Sequence, residues 1–366
     1  MKKISLSFLV VIILVICTTI SCSKKSAAKP DNTTIPPTDT TKTDTTKNTT
    51  PPPPAIIDTV LVAGGSLGPA ANELYLPFAV IVDNSGNIYI ADSYNSRIQK
   101  WAPGATSGTT VAGGNGAGSG LDQLYYPTGI CLDGAGNLYV ADLNNNRILM
   151  FPAGSTQSTN GTIVAGGNGL GANADQLHAP QEVRIDPAGN LYVCDRGNNR
   201  IQKFPANSTS STSGVTIAGG FGVGSNADQL NQPEGIFLDA SGNIYVADNG
   251  NNRVQEFPSN TSYGTDGVTV AGGNSSGANS NQLNSPVDIS VDASGNVYVT
   301  DTNNNRVQKW SPGATSGVTV AGSAAGTSGS TYNLLNSPTG IFLDAGAKNL
   351  YIADAENSRV MKWGLK

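Results

Sequence analysis

One string recurs along this chain at nearly constant spacing, and it limits what the chain can fold into more than any other feature. It reads "DTNNNRVQKW" at residues 301–310 and returns as "DLNNNRILMF" from Asp142, "DRGNNRIQKF" from Asp195 and "DNGNNRVQEF" from Asp248. "DSYNSRIQKW" from Asp92 and "DAENSRVMKW" from Asp354 are looser copies. The six aspartates stand 50, 53, 53, 53 and 53 residues apart, and Arg97, Arg147, Arg200, Arg253, Arg306 and Arg359 keep the same steps. A period near 50 implies stacked supersecondary units, each burying its apolar face against its neighbours.

Each unit parses as four short strands. In the second, "PTGICLD" ends at Asp133, "GNLYVAD" at Asp142, "NRILMF" at Phe151 and "TIVAGG" at Gly167. All four are β-branched or aliphatic runs bounded by Gly, Asn, Asp or Pro. Gly136-Asn137 suits a tight hairpin because both residue types tolerate positive φ. Six such units without amphipathic helices give an all-β fold, a six-bladed β-propeller with four-stranded blades. The 44 glycines, which follow no G-X-Y period, fit many tight turns. The ends of the repeat test closure. The last unit stops at "VMKWGLK" and lacks a fourth strand, while "TVLVAGG", Thr59–Gly65, is a fourth strand with no unit before it. The N-terminal strand is therefore expected to complete the last blade and hide two open sheet edges.

The pattern "PxGIxLDxxGNxYVADxxNNRIQKF" resembles the NHL repeat, and the likeness runs through all six units, residues 55–366. The resemblance implies a propeller. It does not imply one function, because NHL proteins bind RNA, bind other proteins or catalyse reactions, and a fold does not choose among chemistries.

"DLNNN" invites a calcium-loop reading, with oxygens at positions 1, 3 and 5. Position 6 is Arg147 where an EF-hand needs Gly, and no Glu stands at position 12. A structural clip is the simpler reading: Asp142 pairs with Arg147 across the hairpin and the asparagines bond turn backbone. Asp83, Asp133, Asp186, Asp239, Asp292 and Asp344 end the first strands and read as scaffold too. Trp101, Phe151, Phe204, Phe257, Trp310 and Trp363 share one repeat position and read as inter-blade packing. The glycine-rich connections, such as "AGGNGAGSGLDQLYYP", lack a following helix that would make them phosphate cradles, and read as flexible loops.

Function is then expected where the repeats disagree. One place after the first-strand proline stand Phe78, Thr128, Gln181, Glu234, Val287 and Thr339; two places after it, Ala79, Gly129, Glu182, Gly235, Asp288 and Gly340. Just before proline come Tyr75, Tyr125, Tyr126 and His178, the only histidine. Arg184 breaks an otherwise apolar strand, "PQEVRID". Facing a channel mouth, Tyr75, Tyr125, Tyr126, His178, Glu182, Arg184, Glu234 and Asp288 make an acidic, aromatic rim for a cation, a sugar or a basic peptide. The opposing reading has Glu182 and Arg184 neutralise each other while the tyrosines pack loops.

The N-terminus reads as a lipoprotein leader over residues 1–22. Lys2 and Lys3 precede the apolar core Phe8–Cys17, too short for a confident span. Ser21-Cys22 resembles a bacterial lipobox, with Thr19 where an aliphatic residue is usual, so Cys22 is the expected lipidation site and acyl chains the membrane anchor. Residues 23–54 form a Thr/Pro-rich tether with too few apolar residues to order itself. "DTT" at Asp39 and Asp44 and "DTV" at Asp58 resemble an O-glycosylation signal of some Gram-negative envelopes. Cys131 and Cys194 read as small buried hydrophobes, a disulfide between them being the alternative.

The chain's net charge of −5 becomes −9 on residues 55–366 once the leader lysines and the tether's +2 are set aside. That acidity opposes nucleic-acid binding. The expected function is a membrane-tethered, non-catalytic binding or scaffolding propeller of the bacterial envelope, monomeric, facing periplasm or cell surface. Its partner would be an envelope protein, peptide or glycan. The alternative is a metal-dependent lactonase- or lyase-like hydrolytic propeller. One histidine cannot build a multi-histidine zinc site, and no G-x-S-x-G elbow occurs. Glu182, Glu234 and Asp288 would then hold Ca²⁺ as the cofactor.

Overall fold

The computed structural model describes residues 58–365. The expected leader, Cys22, Asp39, Asp44 and the tether lie outside those residues. The described chain forms six four-stranded antiparallel sheets. Blades 1 to 5 are each built from four consecutive strands. Blade 2 runs Pro127–Leu132, Leu138–Asp142, Arg147–Phe151 and Thr162–Gly166 from channel to rim, within a few residues of the sequence parse. Blade 6 takes three strands from the C-terminal end and its outermost from Thr59–Gly64. There Thr59 faces Trp363 and Gly64 faces Arg359, so the N-terminal strand closes the ring. One 3-10 turn per blade, such as Leu143–Asn145, is the helical element that the strand reading left out.

Apolar seams hold the blades together. Phe151 of blade 2 is fully buried in a cluster with Ile98 and Ala112 of blade 1 and Leu124 of the loop between the two blades. At the closing seam, Ala63, Ala353 and Val360 of blade 6 pack with Val80, Ile90 and Trp101 of blade 1. Burying one such side chain contributes about 1.5–3 kcal/mol, and hydrogen bonds between blades, such as Ser93 Oγ to the Pro127 carbonyl (2.6 Å), add to the seams. Cys131 and Cys194 are free and sit in successive seams, small hydrophobes as expected, with no disulfide between them.

Two local devices set the channel. The hairpin between the first two strands of blade 2 is closed by Asp133, whose Oδ1 accepts the N–H groups of Ala135 (2.9 Å) and Asn137 (2.8 Å). Gly136 takes φ +83° there, and Asn137 does not share the positive φ. Each inner strand also begins with a bulge. Pro127 faces Asp142, and pairing resumes only at Ile130 with Val140. A bulge re-aims the side chains within it, and the two residues after proline are those that vary most from blade to blade.

Candidate functional site

The recurring acid, amide and arginine form one clip in every blade. In blade 2, Asn146 takes a left-handed turn at φ +52°, which brings Arg147 back beside Asp142. Asp142 is fully buried. Its Oδ1 accepts the Tyr125 N–H (2.7 Å), and its Oδ2 accepts Asn145 Nδ2 and Arg147 Nε (both 2.8 Å). Arg147 Nη1 donates to the carbonyl of Ser119, and Nη2 to those of Gly120 and Gln123. Asn145 adds a bond to the Gly118 carbonyl (2.8 Å). The clip thus fastens the glycine-rich loop that leads into the first strand. Leu124, fully buried, pins the same loop. This corrects the flexible-loop expectation: three backbone carbonyls of the loop are held by one buried guanidinium. Asn146 then reaches across the seam, its Oδ1 accepting the Ala179 N–H of blade 3 (2.9 Å).

The clip sets up the loop-side mouth. The residue before each inner-strand proline is left-handed: Leu76, Tyr126, Ala179, Gln232, Ser285 and Ser337 have φ between +48° and +60°. Held backbone with free side-chain choice is where a repeat can diversify. In blades 1 and 2 the two places before proline carry tyrosines, Tyr75 in the first and Tyr125 and Tyr126 in the second. Tyr75 stacks on Tyr94 (4.7 Å between centroids), and Tyr94 meets Tyr126 edge-on (5.2 Å). Tyr94 is 41% and Tyr125 44% exposed. Burial pushes the Tyr126 hydroxyl up to about 12, with Tyr94, Glu234 and the exposed Glu356 adding to the shift, so these groups share one mouth. His178 rests on Gly197, where any Cβ would strike its ring. Glu234 faces Arg196 of the preceding blade (Nε to Oε1, 3.4 Å), and Arg196 also donates to Gln232 Oε1. Burial pushes the Glu234 carboxyl up to about 7 against the pull of Arg196.

Deeper in, the second residue after proline makes the channel's waist. Around the ring it reads Ala79, Gly129, Glu182, Gly235, Asp288, Gly340, alternating a side chain with none. A Cβ on Gly129 would lie 2.5 Å from Glu182 Cα, and one on Gly235 2.8 Å from Asp288 Cα. The glycines are therefore a packing requirement that lets the inner strands converge. Glu182 and Asp288, each 4% exposed, flank Arg184. Arg184 Nη1 donates to Glu182 Oε1 (2.6 Å) and to the Ile130 carbonyl of blade 2 (3.2 Å), while Nη2 lies 3.7 Å from Asp288 Oδ1 of blade 5. Asp288 also accepts the N–H of Ile341 from blade 6 (2.8 Å). One ion cluster thus touches four blades. Burial pushes Glu182 up to about 8, Arg184 opposing and Asp288 adding to the shift, and burial raises Asp288 as well.

The structure therefore divides the eight residues chosen from sequence. Tyr75, Tyr125, Tyr126, His178 and Glu234 belong to the loop-side region. Glu182, Arg184 and Asp288 form the waist, where Arg184 pairs with Glu182, the contact the opposing reading named, and also faces Asp288. The three carboxylates proposed as a Ca²⁺ set are not brought together: Arg196 engages Glu234, and Arg184 stands between Glu182 and Asp288. Among the described residues no group of three or more His, Cys, Asp or Glu side chains is placed to hold a metal. Sequence reasoning missed Tyr94, Arg196 and Glu356. They occupy the 3-10 turns inside the recurring string, and the signal was there: the second place after the aspartate reads Tyr94, Asn144, Gly197, Gly250, Asn303 and Glu356.

Comparison with known proteins agrees with this geometry. The NHL repeat family model matches residues 75–101, 124–151, 177–204, 230–257 and 283–310. NHL repeat-containing protein 3 of Mus musculus is 33% identical over 99 residues, a match spanning 26% of this chain and 27% of that protein. A structural genomics protein of unknown function from Bacteroides thetaiotaomicron superposes with a TM-score of 0.64 at 14% identity, over 84% of this chain and 76% of that one. A gluconolactonase from Xanthomonas campestris gives 0.56 at 11% identity, over 85% and 90%. At such identities the solved structures speak for the fold alone. The sixth unit, outside the family-model matches, carries the same clip through Asp354, Asn357 and Arg359. The chain carries five matched NHL repeats, and its six units build a closed six-bladed β-propeller.

Proposed function

We propose that this propeller is a non-catalytic binding module of the bacterial envelope, tethered by lipid at Cys22, that takes a glycan or an extended peptide on its loop side. The observation that carries the reading is the ladder Tyr75–Tyr94–Tyr126, partly exposed and bordered by the carboxylates of Glu234 and Glu356. Tyrosines offer flat, stiff apolar faces with a polar tip, a combination that binds at low entropic cost. The ladder departs from the repeat, so the frame does not require it. The waist gives no support to the hydrolytic alternative, because its carboxylates are engaged by arginine. Membrane tethering rests on the leader and lipobox sequence.

The test is a panel of envelope polysaccharides and peptides presented to the full chain. Tyr94→Ala is expected to lower the affinity of any ligand found by about tenfold or more, as for an interfacial aromatic anchor, with melting unchanged. A ligand bound equally well by Tyr94→Ala would refute the loop-side assignment. Cys22→Ala is expected to release the protein from membranes; retention would refute the tether.

A further inference from the structure

On the side of the first-to-second-strand hairpins the channel widens into a cavity of about 560 Å³. Every inner strand sends one side chain to its wall: Ile81, Cys131, Arg184, Phe237, Ser290 and Phe342, each four residues past the strand's proline. Small-molecule sites usually occupy ~300–1,000 Å³, so the volume fits. The wall is divided. Phe342, Ile81 and Cys131 come from three successive blades and make an apolar half, while Arg184 and Ser290 flank Phe237 on the other.

The polar half keeps two donors, the Ser290 hydroxyl and Arg184 Nε, that no hydrogen bond within the described residues uses. Ser290 is only 5% exposed, and its hydroxyl has no hydrogen-bond partner among the described residues. Arg184 uses Nη1 on Glu182 and on backbone carbonyls and turns Nη2 toward Asp288 at 3.7 Å, while its Nε makes no hydrogen bond among the described residues. These donors are not sealed in the protein; they open onto the channel, where a ligand oxygen can take the place of water.

Charge narrows the occupant. Asp83 and Asp133 on the rim are closed into their own hairpins by backbone N–H groups, so they are not free to hold a cation. Arg184 already faces two acids, Glu182 Oε1 at 2.6 Å and Asp288 Oδ1 at 3.7 Å, so the cluster brings no surplus positive charge to the cavity. An anion would meet Asp288 with no surplus positive charge to offset it. We propose that this cavity binds an uncharged amphipathic small molecule whose carbonyl oxygen accepts hydrogen bonds on the Arg184–Ser290 side and whose apolar body lies against Ile81, Cys131 and Phe342. The site is separate from the tyrosine mouth, because the waist cluster lies between them, so each stands or falls by itself.

The probe is Nile red, an uncharged dye with a carbonyl oxygen, titrated into the full chain and followed by fluorescence. Saturable one-to-one binding is expected. Ser290→Phe and Ile81→Trp fill the cavity from different walls, and each should weaken binding by about tenfold or more through steric exclusion. Ser290→Ala, which removes one hydrogen bond, should weaken it about fivefold. Tyr94→Ala should leave it unchanged. Melting curves establish that each variant is folded; if one filling variant is not, the other and Ser290→Ala decide the matter. Non-saturating fluorescence with the unaltered chain, or saturable binding that survives the folded filling variants, overturns the proposal.

Discussion

Replacing Arg147 by methionine keeps the apolar stem and removes the guanidinium. The loss is specific. Asp142, fully buried, keeps the Tyr125 N–H and Asn145 but loses Nε, and the carbonyls of Ser119, Gly120 and Gln123 lose their donor together. Breaking a buried ion pair from one side costs about 3–5 kcal/mol, because the partner charge stays behind. For domains of this size about 2 °C of Tm accompanies each kcal/mol, so the melting midpoint should fall by about 6–10 °C. Removing the acid as well, in Asp142→Leu/Arg147→Met, takes away the stranded charge. The double variant should therefore cost less than the two single costs added, with a coupling of about 1–3 kcal/mol. Urea denaturation of the four proteins in the cycle measures it. A midpoint for Arg147→Met within about 1 °C of the unaltered chain, or strict additivity in the cycle, would refute the clip.

Three further outcomes follow from other parts of the ring. Gly129→Ala places a Cβ 2.5 Å from Glu182 Cα, and should destabilise by about 1–3 kcal/mol as an overpacked waist, whereas Gly134→Ala, which has open space, should change the urea midpoint little. The folded Glu182 carboxyl titrates at about 8 against an ordinary value of 4.5, so the folded chain holds a proton that the unfolded chain has released; stability from this group is full below about pH 4.5 and is lost as pH rises through about 8. Glu182→Gln should flatten that fall in denaturation curves recorded from pH 5 to 9, and an unchanged slope would contradict it. Deleting Thr59–Gly64 uncovers the Arg359–Gly364 edge and removes Ala63 from its seam, so light scattering should show association through the open edge.

Much of this was legible in the sequence because repetition is physically redundant. A 53-residue step carrying Asp142 and Arg147 to Asp195 and Arg200 means the same contact made again, and the contact is local enough to guess. The spare strand at Thr59 and the missing one after Trp363 made closure readable. What was not legible involved residues far apart in the chain. Arg184 and Asp288 are in different blades, and only a ring of known radius puts them together. Gly129, Gly235 and Gly340 stood in a column read for function; their packing role needs Glu182, Asp288 and Ala79 of the neighbouring blades beside them. The tyrosine ladder was half visible: Tyr75 and Tyr126 stood in a variable column, but Tyr94 lay inside a string that reads as scaffold. The reach of Arg147 to three loop carbonyls was hidden for the same reason, since backbone acceptors leave no mark in a sequence.

The most direct test of the division between frame and mouth is one matched set of variants, Arg147→Met and Arg253→Met against Tyr94→Ala and Tyr126→Ala, read for both melting and retention of the loop-side ligand. The arginine variants should melt lower yet bind normally per folded molecule, and the tyrosine variants should melt normally yet bind weakly. An arginine variant that melts like the unaltered chain while losing its ligand would contradict the account.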